Sequence, residues 1–468
     1  MAKKSDVIVI GAGIGGLAVA AALASRGKNV TVLEKAPIVG GRATSFPLKG
    51  ILTEYGFHGL SAGGHAVKLL DLVGQSIPLQ TLDPNFVLFR NKKFHEVPGE
   101  IDDFATWDYI PAGDRPELID TLHLVEKMSF DEMEEWDYIG FGDWLKDHTS
   151  SLDVQDFIAQ MGNIYITEEF NSNLSAGEVL RCLKLALKEK AWSVYPKDGP
   201  LNLINEAFAK AVTAGGGEVL LNTVAREITV RSEAVTGVIA ESKDGVLKLE
   251  APIVISNMPV WDIFRLIPRD FFPRWFVDKA RFLEEHSQLA ARASAGITCI
   301  SKKPLMSYKT AVLVPCMEEV NSTGASYVRW LSEPTNWVPS IAPQGQHLFQ
   351  YGPVWPRWYV DLLRERKSIY DKEIRSFWRE IKTMFPDFKD EDIIWKGDGV
   401  ILATDTSMAF PGNAWKQRLD VRAPNVAGLY NVGDTVRGWG VAMDTAVSSA
   451  VLCAQKILKT KLIDLEEF

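Results

Sequence analysis

Cysteine is scarce in this chain: Cys182, Cys299, Cys316 and Cys453 are the only four among 468 residues. They form no C-x-x-C pair and have no histidine-rich neighbourhood, which argues against a zinc site. So low a count fits a reducing, cytoplasmic compartment and buried free thiols. Long apolar runs are absent too. No stretch approaches the twenty or so residues that a bilayer-spanning helix needs, so no transmembrane segment is expected. The opening MAKKSD leads straight into a short apolar strand, so no signal peptide is expected. Positive charge is not in excess: 51 Lys and Arg against 60 Asp and Glu give a net charge of −9. The basic residues are scattered, which excludes the basic face that nucleic acid would want. What remains is 46% apolar and 24% charged, a globular composition with a large core, long enough for two or three domains.

Glycine is abundant where it matters. Val7–Ile10 is a continuous apolar run, as a buried parallel strand requires. Gly11, Gly13 and Gly16 follow in G-x-G-x-x-G spacing as a helix opens at Ile14. The first glycine permits a tight turn, the second lets a pyrophosphate approach the backbone, and the third lets helix and strand pack closely. The phosphates would sit at the helix N-terminus, where unpaired N–H groups and the positive dipole end point outward. A second strand over 29–33 delivers Glu34, whose carboxylate suits the two hydroxyls of a ribose and disfavours a 2′-phosphate. Strand, glycines, helix, strand and acid agree in order. On these residues alone, FAD and NAD both remain open.

The extension E-K-x-x-x-x-G-G-R, built from Glu34, Lys35, Gly40, Gly41 and Arg42, decides between them. It resembles the FAD-binding signature of the amine oxidase and phytoene desaturase superfamily of flavoproteins, which includes the carotenoid isomerases. Further segments are similar to that family's. EYGFHGL, with Glu54, Gly56 and His58, matches a D-x-G-x-H segment that passes near the isoalloxazine, with glutamate in place of the usual aspartate. YPKDGPL at 195–201 matches the return to the FAD domain. Val224 stands where the family places backbone beside adenine, and Asn257 closes a V-I-x-N-x-P strand. GLYNVGDTVRGWGVAMD near the C-terminus resembles the second FAD signature. It implies Asp434, after Gly433, against ribityl or pyrophosphate. Gly440 and Val441 would open a final helix whose dipole faces the flavin N1 and C2 carbonyl. The turn Arg437–Gly440 holds no cysteine, so the FAD is expected to be non-covalent.

The resemblance implies an α/β fold: a Rossmann-like FAD-binding domain of the GR2 type interleaved with an α+β substrate domain built on a mixed sheet. The expected segments are 1–76, 196–258 and 396–468 for the FAD domain, and 77–195 and 259–395 for the substrate domain. Between them the chain shows a hairpin at 87–97, an acidic stretch from Asp131 to Asp137 read as a solvated helix face, and apolar residues at helical spacing over 176–188. Strands are expected over 291–300, 310–314, 326–331, 347–351 and 394–404, and one long charged helix over 361–384.

Many amine oxidases of the family present a lysine over flavin N5, and the counterpart strand here, ARASAGITCI, has none. It resembles instead the desaturase and isomerase branch, which implies an apolar alkene or ring substrate exchanging hydride with N5. Alternatives are a flavin amine oxidase or protoporphyrinogen-oxidase-like enzyme, a flavin isomerase or hydratase without net redox, and a prenyl-binding escort-like module that uses no flavin. Three residues are candidates for chemistry. His58 could shuttle a proton or simply hold its turn. Asp444 could act chemically or serve the helix dipole. Trp439 could stack near the ring or fill the turn. No second G-x-G-x-x-G follows a strand, so a nicotinamide domain is not expected, and the electron acceptor and oligomeric state stay open. The tryptophan-rich pieces 261–282 and 330–358 admit core packing, an apolar tunnel or a surface for peripheral membrane contact.

Overall fold

The computed structural model describes residues 3–54, 59–166, 174–190, 193–290, 292–314, 328–404, 409–441 and 443–466. His58, Gly56 and Cys316 lie outside them.

The fingerprint strand Val7–Ile10 sits at the centre of a five-stranded parallel sheet. The order across it is Glu218–Leu220, Val30–Leu33, Val7–Ile10, Ile253–Ser256 and Leu429–Asn431. In chain order that is 3-2-1-4-5, the doubly wound arrangement, and the strand order reverses between Val7–Ile10 and Ile253–Ser256. Ligands of such sheets bind outside the carboxyl ends at this point. All four residues of Val7–Ile10 are buried, and so is every residue of the helix Ile14–Ala24 that follows. That helix, IGGLAVAAALA, has no polar face because Asn202–Ala214 and Met443–Leu458 pack against it as well as the sheet. Small side chains let three helix axes approach one sheet. Beside it lies a four-stranded sheet in which Val224–Arg231, Ala234–Ser242 and Gly245–Glu250 are antiparallel and Lys3–Lys4 pairs in parallel with the last.

The second sheet has seven strands, ordered Ile393–Thr404, Arg292–Ser301, His347–Pro356, Arg329–Ser332, Val312–Val314, Val87–Arg90 and Lys93–Glu96. It is mixed: Val312–Val314 runs parallel to Val87–Arg90 and the other pairs are antiparallel. The hairpin turn is made by Asn91 and Lys92, at φ of 53° and 60°, the left-handed pair that a two-residue turn needs. The edge strand carries this sheet on to Thr404, past residue 395. A helical layer, including Phe141–His148, Leu152–Ile166 and Ala176–Glu189, has its own apolar core.

Three expectations need correction. The helix expected over 361–384 is two, Arg357–Glu365 and Lys367–Met384, broken at Arg366. The break lets Val360 and Leu363 of one and Phe377 and Ile381 of the other join a single core with the sheet. The final helix begins at Met443 rather than near Val441. The acidic stretch is not wholly solvated: Asp137 has no exposed surface. The tryptophans divide, with Trp337 and Trp355 buried and Trp275 and Trp358 about half exposed.

Candidate functional site

At the strand-order reversal the glycines are packed as tightly as their spacing suggests. Gly11 has φ of +97° and its N–H donates to the Leu33 carbonyl at 2.7 Å. A Cβ at Gly16 would lie 2.1 Å from the Gly11 carbonyl oxygen, so helix and turn meet with no room for a side chain. Asn257 fills the space on the other side. Its N–H donates to Ile10 at 2.9 Å, and its amide would stand 2.8 Å from a Cβ at Gly13 and 2.7 Å from one at Gly15. Gly13 is the N-cap of Ile14–Ala24 and offers no side-chain cap. This is the uncapped first turn that phosphate oxygens complete.

Glu34 is buried at the end of its strand. Its two carboxylate oxygens accept from the N–H of Ala12 at 2.7 Å and of Ala36 at 2.8 Å. The acid is thereby aimed at the glycine turn, and each oxygen keeps a further lone pair for a ribose hydroxyl. Thr223 donates to the Glu34 carbonyl at 2.8 Å, which brings Val224 alongside. Lys35 points to solvent.

The second glycine pair lies face to face with the first. Gly40 and Gly41 have φ of +112° and +58°. Gly40 donates to the Ala12 carbonyl at 2.8 Å, and a Cβ on Gly41 would be 3.3 Å from the Gly13 Cα. Asn205, wholly buried, holds this loop from behind by donating to the Ala43 carbonyl at 3.0 Å. Arg42 then reaches the C-terminal signature and pairs with Asp434 at 2.8 Å. Gly433, at φ of +122°, donates to Ser449 Oγ at 2.8 Å.

The turn after Asp434 folds back on its own helix. Trp439 N–H donates to Ser448 Oγ at 2.9 Å, and Thr445 Oγ1 donates to the Gly440 carbonyl at 2.6 Å. The Trp439 indole is taken by the core. Its Nε1 donates to the Leu465 carbonyl at 2.7 Å, and its ring meets His65 and Phe130 edge-on, with centroids 4.7 and 5.8 Å away. Asp444 is 1% exposed and Oδ1 accepts from the Ala66 N–H at 2.8 Å. Burial pushes its carboxyl up to about 6. Val441 is half-buried, and its carbonyl accepts from the Asp444 N–H at 2.9 Å.

Two clusters escaped the sequence reading. Tyr195 donates to Glu54, which also accepts from the Leu201 N–H at 3.0 Å, so the EYGFHGL and YPKDGPL segments are hydrogen-bonded to each other. Deeper still, Arg181 Nη2 donates to both carboxylate oxygens of Asp137, at 2.6 and 2.7 Å, and Nη1 approaches Glu178 at 3.5 Å. Glu178 pairs with Arg418 at 3.1 Å, and Arg418 donates to the Asp434 carbonyl at 3.3 Å. All four side chains are at most 1% exposed. This chain of charges runs from the helical layer to the second cofactor signature. A signal for Asp137 existed. It falls seven residues after Phe130 and four after Met133, both buried, and so on the same helical face.

The two glycine loops, the uncapped helix and the aimed carboxylate make a cradle held close by Gly13, Gly16 and Gly41, where a Cβ would press on protein atoms, with donors suited to a pyrophosphate and acceptors suited to a ribose. They fit an adenine dinucleotide, and the two signatures joined by Arg42 and Asp434 define a flavoprotein of doubly wound fold. Residues 14–458 match the family described as flavin containing amine oxidoreductase, and the chain belongs to that family. Its cofactor is FAD. Prolycopene isomerases 1 and 2 of an Oncidium hybrid cultivar are 25% identical over 511 residues, spanning 97% of this chain and 84% of theirs. The neurosporene-forming phytoene desaturase of Rhodobacter capsulatus is 26% identical over 306 residues, spanning 58% of this chain and 56% of its own. The solved structure of an oxidoreductase from Methanosarcina mazei superposes with a TM-score of 0.73 at 19% identity, over 98% of this chain and 100% of that one.

Proposed function

We propose that this FAD-dependent oxidoreductase acts on an apolar polyene or ring compound, with hydride passing between a substrate carbon and flavin N5. The observation that carries the reading is the strand Arg292–Ser301. It lies between two partners in the substrate sheet and contains no lysine, where many amine oxidases of the family present one. The names of the relatives, which concern prolycopene and phytoene, support a polyene. Bound FAD supplies a two-electron acceptor or donor at N5. The chain's part is to hold it: Glu34 at the ribose, the first turn of Ile14–Ala24 and Arg42 at the pyrophosphate, Asp434 at the ribityl end.

The test is anaerobic mixing of the FAD-loaded protein with detergent-dispersed phytoene or prolycopene, and separately with a diamine such as putrescine. Bleaching of the oxidised flavin by a polyene is expected; bleaching by the diamine alone would refute the reading. A second reading, isomerisation without net redox, is favoured by one fact. The prolycopene isomerases match nearly the whole chain, whereas the desaturase matches little more than half. It requires turnover only after the flavin has been reduced, with product of the same mass as substrate.

A further inference from the structure

The helix His65–Leu72 begins badly for an isolated helix. Its N-cap is Gly64, which has no side chain to accept from the first-turn N–H groups, and a buried orphan donor is costly. The missing acceptor arrives from far along the chain. Asp444 Oδ1 takes the Ala66 N–H at 2.8 Å. A Cβ at Gly64 would lie 2.2 Å from Asp444 Oδ2, so glycine is required for the carboxylate to reach the helix end. Asp444 is also held from above, since a Cβ at Gly440 would lie 2.7 Å from its own Cβ. A carboxylate serving only the dipole of its own helix would stay solvated; burying one to 1% exposure demands partners. A second contact ties the same two segments: His65, wholly buried with its imidazole pushed down to about 3 by burial, meets Trp439 edge-on.

We propose that Asp444 is a positioning residue. By capping His65–Leu72 across the fold, it fastens the turn 438–441, expected at the flavin, to the segment 59–66 that leads in from the other flavin-facing stretch. This rests on the cofactor site described above, and it assigns Asp444 no contact with substrate. Capping needs an acceptor rather than a charge, so asparagine should replace aspartate where alanine cannot.

The experiment uses the full chain as Asp444→Ala, Asp444→Asn and Gly64→Ala. It measures amide hydrogen exchange over 59–66 in the apoprotein and FAD affinity by flavin fluorescence quenching. Asp444→Ala and Gly64→Ala are each expected to exchange faster and to bind FAD more weakly by roughly tenfold, the worth of one hydrogen bond to a charged acceptor. Asp444→Asn, which keeps a neutral acceptor for the Ala66 N–H, should lose less than Asp444→Ala on both measures, within about fivefold of wild type. Wild-type exchange and affinity in Asp444→Ala, or an Asp444→Asn as impaired as the alanine variant, would overturn the proposal. If Asp444→Ala does not fold, Gly64→Ala and Asp444→Asn decide it alone. A wild-type protein that bound no FAD would strike the cofactor reading instead, and the exchange measurement would still judge the clamp.

Discussion

Replacing Arg181 by methionine isolates the energetics of the buried charge chain. Arg181 makes two short bonds to Asp137, approaches Glu178 and lies 4.9 Å over the Phe130 ring. Methionine keeps most of the volume and removes the charge. Glu178 retains Arg418 at 3.1 Å, so the stranded group is Asp137, fully buried and without its cation. Two lost charge-assisted hydrogen bonds, at about 1.5–3 kcal/mol each, set the scale at roughly 3–6 kcal/mol, within the usual range for breaking a buried pair. A ceiling comes from protonation. Burial already pushes the Asp137 carboxyl up against the opposing pull of Arg181, and without that pull it rises further. Keeping an acid of ordinary value 3.8 neutral at pH 7 costs about 4 kcal/mol. The expected loss is therefore at most about 4 kcal/mol, or a fall of up to roughly 4 °C in the thermal midpoint if all 468 residues unfold together. The sign with pH follows. In Arg181→Met the folded state holds a proton that the unfolded chain releases above about pH 4. The wild-type carboxyl, already raised to about 6, holds that proton too at lower pH, so the deficit should grow between about pH 6 and pH 8 and shrink on acidification. The double variant Asp137→Asn/Arg181→Met strands no charge and should recover most of the loss. Scanning calorimetry of the FAD-loaded proteins across that pH range is the assay. A midpoint unchanged in Arg181→Met, or a double variant no better than the single, would refute the reasoning.

Gly13→Ala would press its methyl group against the Asn257 amide at 2.8 Å, so FAD binding should weaken, and Gly13→Ala/Asn257→Ala should bind more tightly than Gly13→Ala alone; equilibrium titration with FAD checks both. Cys182, Cys299 and Cys453 are buried, and burial lifts all three thiols, Cys299 to about 12. Mass spectrometry after alkylation of the native protein at pH 8 should find these three unmodified, and modified only after unfolding. Trp275 and Phe282 stand 59% and 47% exposed on the helix Arg274–Ala290, with Lys279 beside the Phe282 ring at 5.5 Å. If this face meets a bilayer, the protein should cofloat with vesicles containing anionic lipid and Trp275→Ala/Phe282→Ala should not; a wild-type protein left at the bottom of the gradient ends that reading.

The cofactor domain was open to reading because its constraints are local. A tight turn, a close helix and a pyrophosphate each demand glycine within a few residues of one another, so Gly11, Gly13 and Gly16 state their geometry in their spacing. The same holds for Gly40 and Gly41, whose positive φ admits little else. What stayed hidden depends on partners distant in sequence. Asp444 looked like a first-turn acid because its own neighbours say no more than that, while its acceptor role is set by Ala66, 378 residues earlier. Asp137 looked like one more charge in an acidic run, because a run is read by its average. Position in the helical period would have singled it out, since it shares a face with Phe130 and Met133. Arg181 lies on a helix that reads as apolar core.

These hidden groups share a physical logic. A buried carboxylate costs several kcal/mol unless a cation or an N–H meets it, so an acid at a periodically buried position implies a distant donor even when no local residue can supply one. Asp137 implies an arginine, and Asp444 implies a helix end without a cap. The glycine N-cap Gly64 was the complementary signal, a donor group in need of an acceptor. Pairing buried acids with uncapped helix starts and buried arginines would recover the Asp137–Arg181 and Asp444–Ala66 contacts from sequence. It would not recover Asn257, a neutral residue whose place among Gly13, Gly15 and Gly16 is a matter of shape. A buried charge leaves a trace because it must be met; a packing contact such as that of Asn257 leaves one on the glycine side, where a Cβ would not fit, and says little about which side chain fills the space.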